Sequence, residues 1–338
     1  MDGEYTSRSR VDLVVVGAAS RDIAADDPRG WRLGGGVSYS ALTTARLGLR
    51  VGAIVGADRL ASTASELDLL RDAGVEVQVV PLERGPVFVN IEQPEGRLQL
   101  CRERSDPIRV GAVPEPWLGA PGWILAPVAN ELPPAWAEAP SREATVAVGW
   151  QGLIRELVVG EPVRHVRPEP NDILLRADIV GISRDDVDRA VPLAELYACL
   201  RRRTAVRRAT LVLTQGDQGG IVVDGVEPDG ALHLRHYPAV RSHGIVDPTG
   251  AGDVFLAALA AGRVEPRLIG GRIGQGFDLL LAAAAASLVL EGPGLLGVPE
   301  RAAVRQRMAE GLAAAAAAAG HAAGTAGAAV RDTASGRG

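Results

Sequence analysis

Residues 51–80 read VGAIVGADRLASTASELDLLRDAGVEVQVV, and their hydrophobic pattern indicates the fold class. Residues 51–55 form a short apolar run, which is typical of a buried strand. Four apolar residues then recur at helical spacing ahead of Gly74: Leu60, Ala64, Leu67 and Leu70. The valines at 75, 77 and 79 alternate with polar residues, which predicts a second strand. A strand, a helix and a strand in succession predict an α/β fold.

The same alternation extends in both directions from this unit. Residues 11–17 (VDLVVVG) predict a buried first strand, and residues 33–48 (LGGGVSYSALTTARLG) predict a helix with a glycine-rich start. Four later apolar segments predict strands that are buried on both faces: 123–126, 145–148, 178–182 and 211–213. Two apolar helices are predicted in the last third of the chain, one after Gly252 and one over residues 277–292.

Two segments do not follow this alternation of strands and helices. In residues 86–103, PVFVNIE and RLQLCRE alternate around a short turn and predict an antiparallel hairpin, an insertion that we expect to act as a lid. An apolar hairpin face (Val87, Val89 and Ile91) can pair between subunits, so a homodimer through the lid is predicted. From residue 311 onward the sequence is a low-complexity run of Ala and Gly, for which we predict a disordered tail.

Composition excludes several classes of partner. The chain has 338 residues, of which 47% are hydrophobic and 23% charged, and these values are typical of a folded globular protein. Its net charge of −5 gives a polyanion no general attraction, so no nucleic-acid partner is predicted. Since no apolar run is long enough for a bilayer and the first residues lack a signal-like stretch, we predict no membrane association and a cytoplasmic location.

Residue usage also excludes several kinds of chemistry. The sequence contains no lysine, so all 36 basic side chains are arginine. A Walker A loop, a protein kinase site and a Schiff-base site each need a lysine and are therefore excluded. Cys101 and Cys199 have neither disulfide-like nor zinc-like spacing, and the five histidines are scattered, so no cysteine or histidine metal site is predicted.

The strongest chemical signal is DPTGAGDVFLAALAAG at residues 247–262. Gly250, Ala251 and Gly252 allow a tight turn that exposes backbone N–H groups at a helix start, which is a site for a phosphate or another anion. We expect the helix dipole to keep Asp253 ionised, so that this carboxylate can act as general base toward a hydroxyl. The same residues are also compatible with a helix N-cap that has no catalytic role, because such short sequences arise often in a chain rich in Gly and Ala.

This loop resembles the DTxGAGD signature of the ribokinase-like (PfkB) carbohydrate kinases. The resemblance covers about residues 11–307 and includes further segments of the sequence: GAASRD (17–22), LGGGVSYSALTTARLGLRVGAIVGAD (33–58), GISRDD (181–186), LVLTQGDQGGIVV (211–223) and LEGPGLLGVP (290–299). It implies a three-layer α/β sandwich with a central, mostly parallel sheet. A small β-hairpin lid would be formed by residues 20–34 and 84–108.

The resemblance also implies an activity. Members of this family transfer the γ-phosphoryl group of ATP, with Mg²⁺, to a hydroxyl of a sugar, nucleoside or related polyol, and for this chain the predicted acceptor is a small sugar or cyclitol. It makes Asp253 the base and Gly250, Ala251 and Gly252 the anion hole, and it assigns Asp186 to Mg²⁺. Substrate-binding residues would be Asp22, Gly34, Gly35 and Ser40, and nucleotide-binding residues would be Thr214, Gly216, Gly219, Asp247 and Thr249.

Two further residues are predicted to bind the acceptor from their positions alone. Asn90 lies in the hairpin, and Glu131 follows a strand where it can face the substrate cleft. A role at a helix start fits Glu131 equally well.

The sequence departs from the family pattern at four places. Pro248 stands where Thr is usual, and Ser183 and Asp186 replace the Asn and Glu of the NxxE motif. The shorter Asp186 would reach the metal through water. The sugar-binding Asn of the GGxxxN motif is absent, with Tyr39 or Ser40 near its place.

Other functions remain open at this point. The acceptor can instead be a nucleoside, or a sugar phosphate bound by Arg21, Arg29 or Arg32. A function of a different class is that of a non-catalytic sugar or nucleotide sensor with the same fold.

Overall fold

A computed structural model describes residues 11–93, 96–201, 209–272, 276–314 and 316. Its strands within these ranges are β1 (Leu13–Ala18), β2 (Arg21–Ile23), β3 (Trp31–Leu33), β4 (Val51–Ala57), β5 (Glu76–Pro81), β6 (Val87–Gln93), β7 (Gly96–Glu103), β8 (Gly122–Leu125), β9 (Thr145–Gly149), β10 (Arg155–Glu156), β11 (Arg164–His165), β12 (Ile179–Ser183), β13 (Thr210–Thr214), β14 (Gly220–Val226) and β15 (Leu232–Tyr237). The helices are α1 (Gly36–Arg46), α2 (Ser65–Asp72), α3 (Asp172–Arg176), α4 (Leu193–Ala198), α5 (Ala251–Val264), α6 (Phe277–Val289) and α7 (residues 301–314).

The main sheet has nine strands in the order β15-β14-β13-β12-β9-β8-β1-β4-β5. From β13 to β5 every neighbouring pair is parallel, and β14 and β15 complete one side as antiparallel strands. The predicted strand–helix–strand unit of residues 51–80 is present as β4, α2 and β5. The mostly parallel α/β sheet predicted from the sequence is therefore confirmed.

Helices and short helical turns cover both faces of this sheet. Alternate residues of β1 enter two different cores: Leu13 belongs to the core that contains residues of α1, α5 and α6, whereas Val14 belongs to the core that contains residues of α3 and α4. Burial of both faces explains why the central strands are apolar throughout rather than alternating. The three-layer prediction is confirmed.

A second, four-stranded sheet has the order β3-β2-β6-β7. The predicted hairpin is present as β6 and β7, which pair in antiparallel fashion. The other strands of this sheet, β2 and β3, lie within residues 20–34, the second segment that the family resemblance assigned to the lid; with three residues each they are too short to be recognised from alternation. We call this second sheet the lid sheet; its role as a lid stays a prediction.

The outer side of β7 is partly occupied by the same chain. Residues 155–165, here called the strap, run from β10 to β11 and pass along β7. The N–H of Gly160 donates to the carbonyl oxygen of Cys101 at 2.8 Å, and the N–H of Val163 donates to that of Gln99 at 2.8 Å. A homodimer through the lid stays a prediction, and edge-to-edge pairing would have to use other parts of β7.

The C-terminal part of the chain continues the helical layer. Residues 311–314 extend α7, and the rest of the predicted disordered tail lies outside the described residues, apart from residue 316. In the described ranges, no helix is both long enough and apolar enough to span a membrane.

Candidate active site

A cavity of about 830 Å³ lies at the carboxyl ends of the parallel strands. Gly149, Ser183 and Thr214, at the ends of β9, β12 and β13, line its floor. Phe88 and Asn90 of β6 line it from the lid sheet. Loops that follow parallel strands meet at one edge of the sheet, which is where α/β proteins bind ligands.

The predicted anion hole lies at the start of α5, and its three residues all line the cavity. Gly250 precedes the helix with a φ of 80°, in the left-handed region. The first N–H of α5 that donates within the helix turn is that of Val254, which bonds to the carbonyl oxygen of Gly250 at 2.9 Å. The N–H groups of Gly252 and Asp253 have no acceptor in the described part of the chain, so they can bind an anion in the cavity.

Asp253 lies between this loop and the glycine-rich start of α1. Its Oδ1 atom is so close to Gly36 that a Cβ atom there would be 2.7 Å away. Burial raises the pKa of Asp253 to about 6; Arg155 opposes this shift, and Asp186 and Asp22 add to it. Burial disfavours the charged form of this carboxyl, an effect that the sequence-based prediction of an ionised Asp253 did not include. A pKa near 6 still leaves the carboxylate ionised at neutral pH.

This raised pKa predicts a pH dependence for any reaction in which Asp253 accepts a proton. The carboxylate is the active form, so kcat/KM should be constant above about pH 7 and fall about tenfold per pH unit below about pH 6. Initial rates measured between about pH 4.5 and pH 8 check this, with structural integrity followed by circular dichroism. A flat profile down to about pH 5 would contradict the assigned proton acceptor.

The predicted acceptor side contains Asp22, Gly34 and Gly35. Asp22 lines the cavity, and the Ser20 hydroxyl donates to its Oδ1 at 3.2 Å. Gly34 packs against the Asp22 carboxylate so closely that a side chain there would overlap it, although Gly34 itself is outside the cavity wall. Gly35 lines the cavity and precedes α1 with a φ of 92°. These residues lie together with Asp253.

Of two other residues predicted to bind substrate, Asn90 lies in the cavity wall and Ser40 does not. Asn90 lines the cavity, and its Oδ1 accepts a hydrogen bond from Gln99 Nε2 at 2.8 Å. The prediction for Ser40 was wrong, because its side chain is 1% exposed and lies inside α1, away from the cavity wall. Its neighbour Tyr39 lines the cavity instead. One residue turns a helix by about 100°, which is enough to separate these two side chains.

Glu131 was also predicted to bind substrate, and this prediction was wrong. Its carboxylate is buried and accepts backbone hydrogen bonds from Ala18 at 2.9 Å, from Ala129 at 2.8 Å and from Val128 at 3.1 Å. Burial raises the pKa of Glu131, and these N–H donors oppose the shift. The alternative of a helix start also fails, since no helix begins at Asn130, whose φ is 58°. Glu131 joins the end of β1 to the loop after β8.

We expect Glu131→Ala to destabilise the fold because it leaves three buried N–H groups without acceptors. Each such group costs about 1–3 kcal/mol, so the free energy of unfolding should fall by about 3 kcal/mol or more. Urea unfolding followed by tryptophan fluorescence measures this. Glu138→Ala is the matched control, because Glu138 is exposed. Equal unfolding curves for the two variants would contradict the structural role.

The predicted nucleotide residues separate into two groups. Thr214 and Thr249 line the cavity. Gly216 and Gly219 lie outside the cavity wall, in the tight turn between β13 and β14. Asp247 is also outside the wall; its carboxylate accepts from the N–H of Thr249 at 2.9 Å and from that of Gly294 at 3.0 Å. Asp247 therefore holds the loop before α5 in position.

The predicted metal residue Asp186 lines the cavity. Gln151 Nε2 donates to its Oδ1 at 2.7 Å, and His165 Nε2 lies 3.6 Å from the same atom. Among the described residues no group of three or more Asp, Glu, His or Cys side chains could hold a metal by itself. One carboxylate, with phosphate oxygens and water as the other ligands, nevertheless fits the preferences of Mg²⁺.

Sequence reasoning missed Arg155, whose side chain also lines the cavity. Burial lowers its pKa, and the nearby carboxylates of Asp186, Asp253 and Asp22 oppose the shift. Arg155 lies on the two-residue strand β10, and no periodicity marks so short a strand. In the sequence, the only indication of a site residue here is that an Arg follows shortly after the apolar strand β9.

The arginines considered for a phosphorylated acceptor lie elsewhere. Arg21 pairs with Asp58 at 2.8 Å, Arg29 with Glu66 at 2.6 Å, and Arg32 with Asp26 at 2.5 Å. All three arginines are outside the cavity wall.

Comparisons with known proteins agree with this fold. The profile of the pfkB family of carbohydrate kinases matches residues 158–300. A cytidine kinase from Thermococcus kodakarensis is 27% identical over 277 residues, which cover 75% of this chain and 88% of that protein.

Two solved structures give the same result at the level of the fold. A pyrophosphate-dependent kinase in the ribokinase family, complexed with a pyrophosphate analog and myo-inositol, has a TM-score of 0.66 and 22% identity, covering 87% of this chain and 99% of its own. Ribokinase from Arabidopsis thaliana, complexed with ribose and ATP, has a TM-score of 0.60 and 18% identity, covering 89% of this chain and 99% of its own.

Proposed function

We propose that this chain is a member of the ribokinase-like PfkB family of carbohydrate kinases, whose profile matches residues 158–300, and that it transfers the γ-phosphoryl group of ATP to a hydroxyl of a small, neutral sugar or cyclitol. The observation that carries the proposal is the position of Asp253. Its carboxylate adjoins Gly36 on the acceptor side and begins the helix whose free N–H groups face the cavity on the donor side. A base and an anion site thus meet in one cavity.

The proposed reaction uses these groups in a single displacement. Asp253 removes the proton of the acceptor hydroxyl, and the oxygen forms a bond to the γ-phosphorus while the bond to the β–γ bridging oxygen breaks. The N–H groups of Gly252 and Asp253 bind the oxygens of the phosphoryl group in transit. ADP leaves with the electron pair, and Asp253 releases its proton to water.

ATP is the proposed donor, and the surface beside the loop supports it. Three exposed apolar residues lie just before the loop and in the segment bonded to Asp247: Ile245, Val246 and Leu296. A nucleotide base can cover such a patch. Asp186 would hold Mg²⁺, which when bound neutralises charge on the donor phosphates. Arg184 and Arg189 line the same side of the cavity and can bind phosphate oxygens.

Charge favours an uncharged acceptor over a sugar phosphate. Asp22 and Asp253 face the acceptor space, and the three arginines that a phosphorylated acceptor would need are paired elsewhere. These two carboxylates disfavour an anionic acceptor, and Arg155 beside them in the cavity wall offsets part of the repulsion.

The aromatic rings favour a polyol over a nucleoside. Three aromatic side chains line the cavity, and each already packs against another group: Phe88 against Arg155, Phe255 against Tyr237 and Tyr39 against Gly250. None presents an obvious platform for stacking a nucleobase. A nucleoside remains the second candidate acceptor because the Thermococcus relative is a cytidine kinase.

A phosphorylation screen tests the proposal. The wild-type protein is incubated with ATP or pyrophosphate, with and without Mg²⁺, and with myo-inositol, ribose, fructose 6-phosphate, inosine or cytidine. We expect ATP- and Mg²⁺-dependent phosphorylation of a neutral polyol, detected as product by mass spectrometry. Product formed only from a nucleoside, only from the sugar phosphate, or only with pyrophosphate would contradict the corresponding part of the proposal.

A further inference from the structure

Arg307 of α7 is a buried charged side chain outside the cavity wall, and the residue is only 5% exposed. Its Nη1 donates to Oγ of Ser287 at 3.0 Å and to the carbonyl oxygen of Arg241 at 3.2 Å. Its Nη2 lies 2.9 Å from a carboxylate oxygen of Glu291, and its Nε lies 3.2 Å from one of Glu310. All three nitrogens are engaged, and the fixed directions of their N–H groups tie together parts of the chain that are far apart in sequence.

Two of these partners belong to segments that lead to the donor side of the cavity. We call residues 241–247, which precede the anion loop, the front segment, and residues 290–296, which follow α6, the back segment. Glu291 of the back segment also accepts a hydrogen bond from the N–H of His243 at 2.7 Å. Burial raises the pKa of Glu291, but the N–H of His243 and the guanidinium of Arg307 outweigh this and hold it below its ordinary value. The guanidinium and this carboxylate thus form one charged joint between the two segments.

The far ends of the two segments are joined by other bonds. The N–H of Val246 donates to the carbonyl oxygen of Leu290 at 2.6 Å, and the N–H of Gly294 donates to the carboxylate of Asp247 at 3.0 Å. The front segment is therefore held at two places, with Ile245 between them. Of these two places, the joint at the start of the segment is the one that depends on α7.

The two segments carry the exposed apolar side chains that are proposed above to lie under the nucleotide base. Ile245, Val246 and Leu296, here called the base patch, are 71%, 63% and 70% exposed. Residues 238–250 contain no helix or strand, so bonds such as those of Arg307 hold the front segment in place. A surface that is already ordered binds a ligand more tightly than one that the ligand must order. The affinity for the base thus depends on contacts made outside the cavity.

We propose that Arg307 is a positioning residue for the nucleotide donor: from the C-terminal helix it fixes the front and back segments, so that the base patch is formed before ATP binds. The anion loop has separate bonds, since the carboxylate of Asp247 accepts from the N–H of Thr249 at 2.9 Å. Loss of Arg307 should therefore weaken binding of the base and leave binding of the phosphates nearly unchanged. The inference rests on the nucleotide donor of the proposed function, and it adds a contribution from α7, whose residues 301–314 lie outside the cavity wall.

The test compares two ligands that share a chain of three phosphates. Isothermal titration calorimetry measures the dissociation constants of ATP and of inorganic tripolyphosphate, which has no base or ribose, each with Mg²⁺ and without acceptor. The wild type should bind ATP more tightly than tripolyphosphate. In Arg307→Gln this preference should fall about tenfold through weaker binding of ATP, while the dissociation constant of tripolyphosphate changes less than about threefold.

A second variant tests the same joint from the other side. In Glu291→Gln the amide nitrogen cannot accept, so the donors of Arg307 and His243 compete for one oxygen, and the preference for ATP should fall about threefold. The matched control is Arg305→Gln, which removes an exposed arginine from the same helix and should keep the wild-type preference. Urea unfolding followed by tryptophan fluorescence establishes that each variant is folded, and Glu291→Gln provides the measurement if Arg307→Gln is not.

The outcomes separate this inference from the proposed function. If the wild type prefers ATP but the folded variants keep that preference, or lose affinity for ATP and tripolyphosphate equally, the role of Arg307 is overturned and the proposed function stands. If the wild type binds ATP no more tightly than tripolyphosphate, the nucleotide donor of the proposed function fails and the inference fails with it. If the preference falls as expected but no polyol is phosphorylated, the inference is supported and only the proposed transfer fails.

Discussion

Asp253→Asn is expected to lower kcat by about 10²-fold or more, because an amide cannot accept the proton of the acceptor hydroxyl. The change keeps the size of the side chain, so the N–H groups at the start of α5 should still bind the donor phosphates. The KM for ATP is therefore expected to stay within about threefold of the wild-type value. Steady-state kinetics with saturating acceptor, combined with calorimetric titration of ATP, measure both quantities.

Stability provides a control for this variant. The pKa of Asp253 is raised in the folded state, so the folded protein binds this proton more tightly than the unfolded chain does. Its contribution to stability is full below about pH 4 and is lost as the pH rises through about 6. Removing the charge should accordingly leave the unfolding midpoint at neutral pH equal or higher.

The matched control for the loss of a carboxylate is Asp68→Asn. Asp68 lies on α2, exposed and paired with Arg71 at 2.7 Å. This variant should retain wild-type kcat. Wild-type turnover by Asp253→Asn would remove the general base from the account, and a lowered unfolding midpoint would mean that lost activity reports damage to the fold.

Gly250→Ala is expected to have the second large effect. Gly250 has a φ of 80°, where a side chain is strained, and a Cβ atom there would overlap the Tyr39 ring. Strain and overpacking cost about 1–3 kcal/mol each, so the free energy of unfolding should fall by about 2–5 kcal/mol. The turn that exposes the N–H groups would also shift, which should lower kcat by about tenfold or more. Urea unfolding and steady-state kinetics check the two effects.

Gly252→Ala is the structural control for this substitution. Gly252 is two residues further along the same turn, within α5, and a Cβ atom there would meet no other atom within 4 Å. Alanine stabilises a helix relative to glycine by about 0.5–1 kcal/mol, so the unfolding midpoint should stay equal or rise. If Gly250→Ala were as stable as Gly252→Ala, the close packing of Tyr39 against this turn would be wrong.

The elements that carry the catalytic loop could be predicted because their sequence patterns are local. The alternation of strand and helix from residue 51 to residue 80 and the glycine turn before α5 each lie within a single stretch of chain. Their geometry follows from periodicity and from the small size of Gly250 and its neighbours.

The errors concern side chains whose direction depends on distant parts of the chain. Ser40 and Tyr39 are adjacent and both polar, and only the packing of α1 against α5 decides which one faces the cavity. Glu131 follows a strand as a substrate ligand would, but the backbone N–H groups of Ala18, Val128 and Ala129 surround its carboxylate. No local pattern distinguishes a carboxylate bound by backbone from one bound by substrate.

Arg155 was missed for a related reason. Its strand β10 has two residues and pairs with β11, and the strap between these two strands is hydrogen-bonded to β7, which is more than fifty residues earlier in the chain. The acidic neighbours that make the residue notable come from β2, α5 and the turn after β12. Such a cluster becomes visible only when the sheet has brought these segments together.

Phosphorus-31 NMR of the wild-type protein with ATP, Mg²⁺ and a neutral polyol tests the central claim most directly, because it observes the transferred group itself. If a carboxylate and a ring of backbone N–H groups carry out transfer in this cavity, a phosphate monoester of the polyol appears while ADP accumulates in equal amount. Tight binding of ATP and polyol without any monoester, or release of inorganic phosphate alone, would contradict the account.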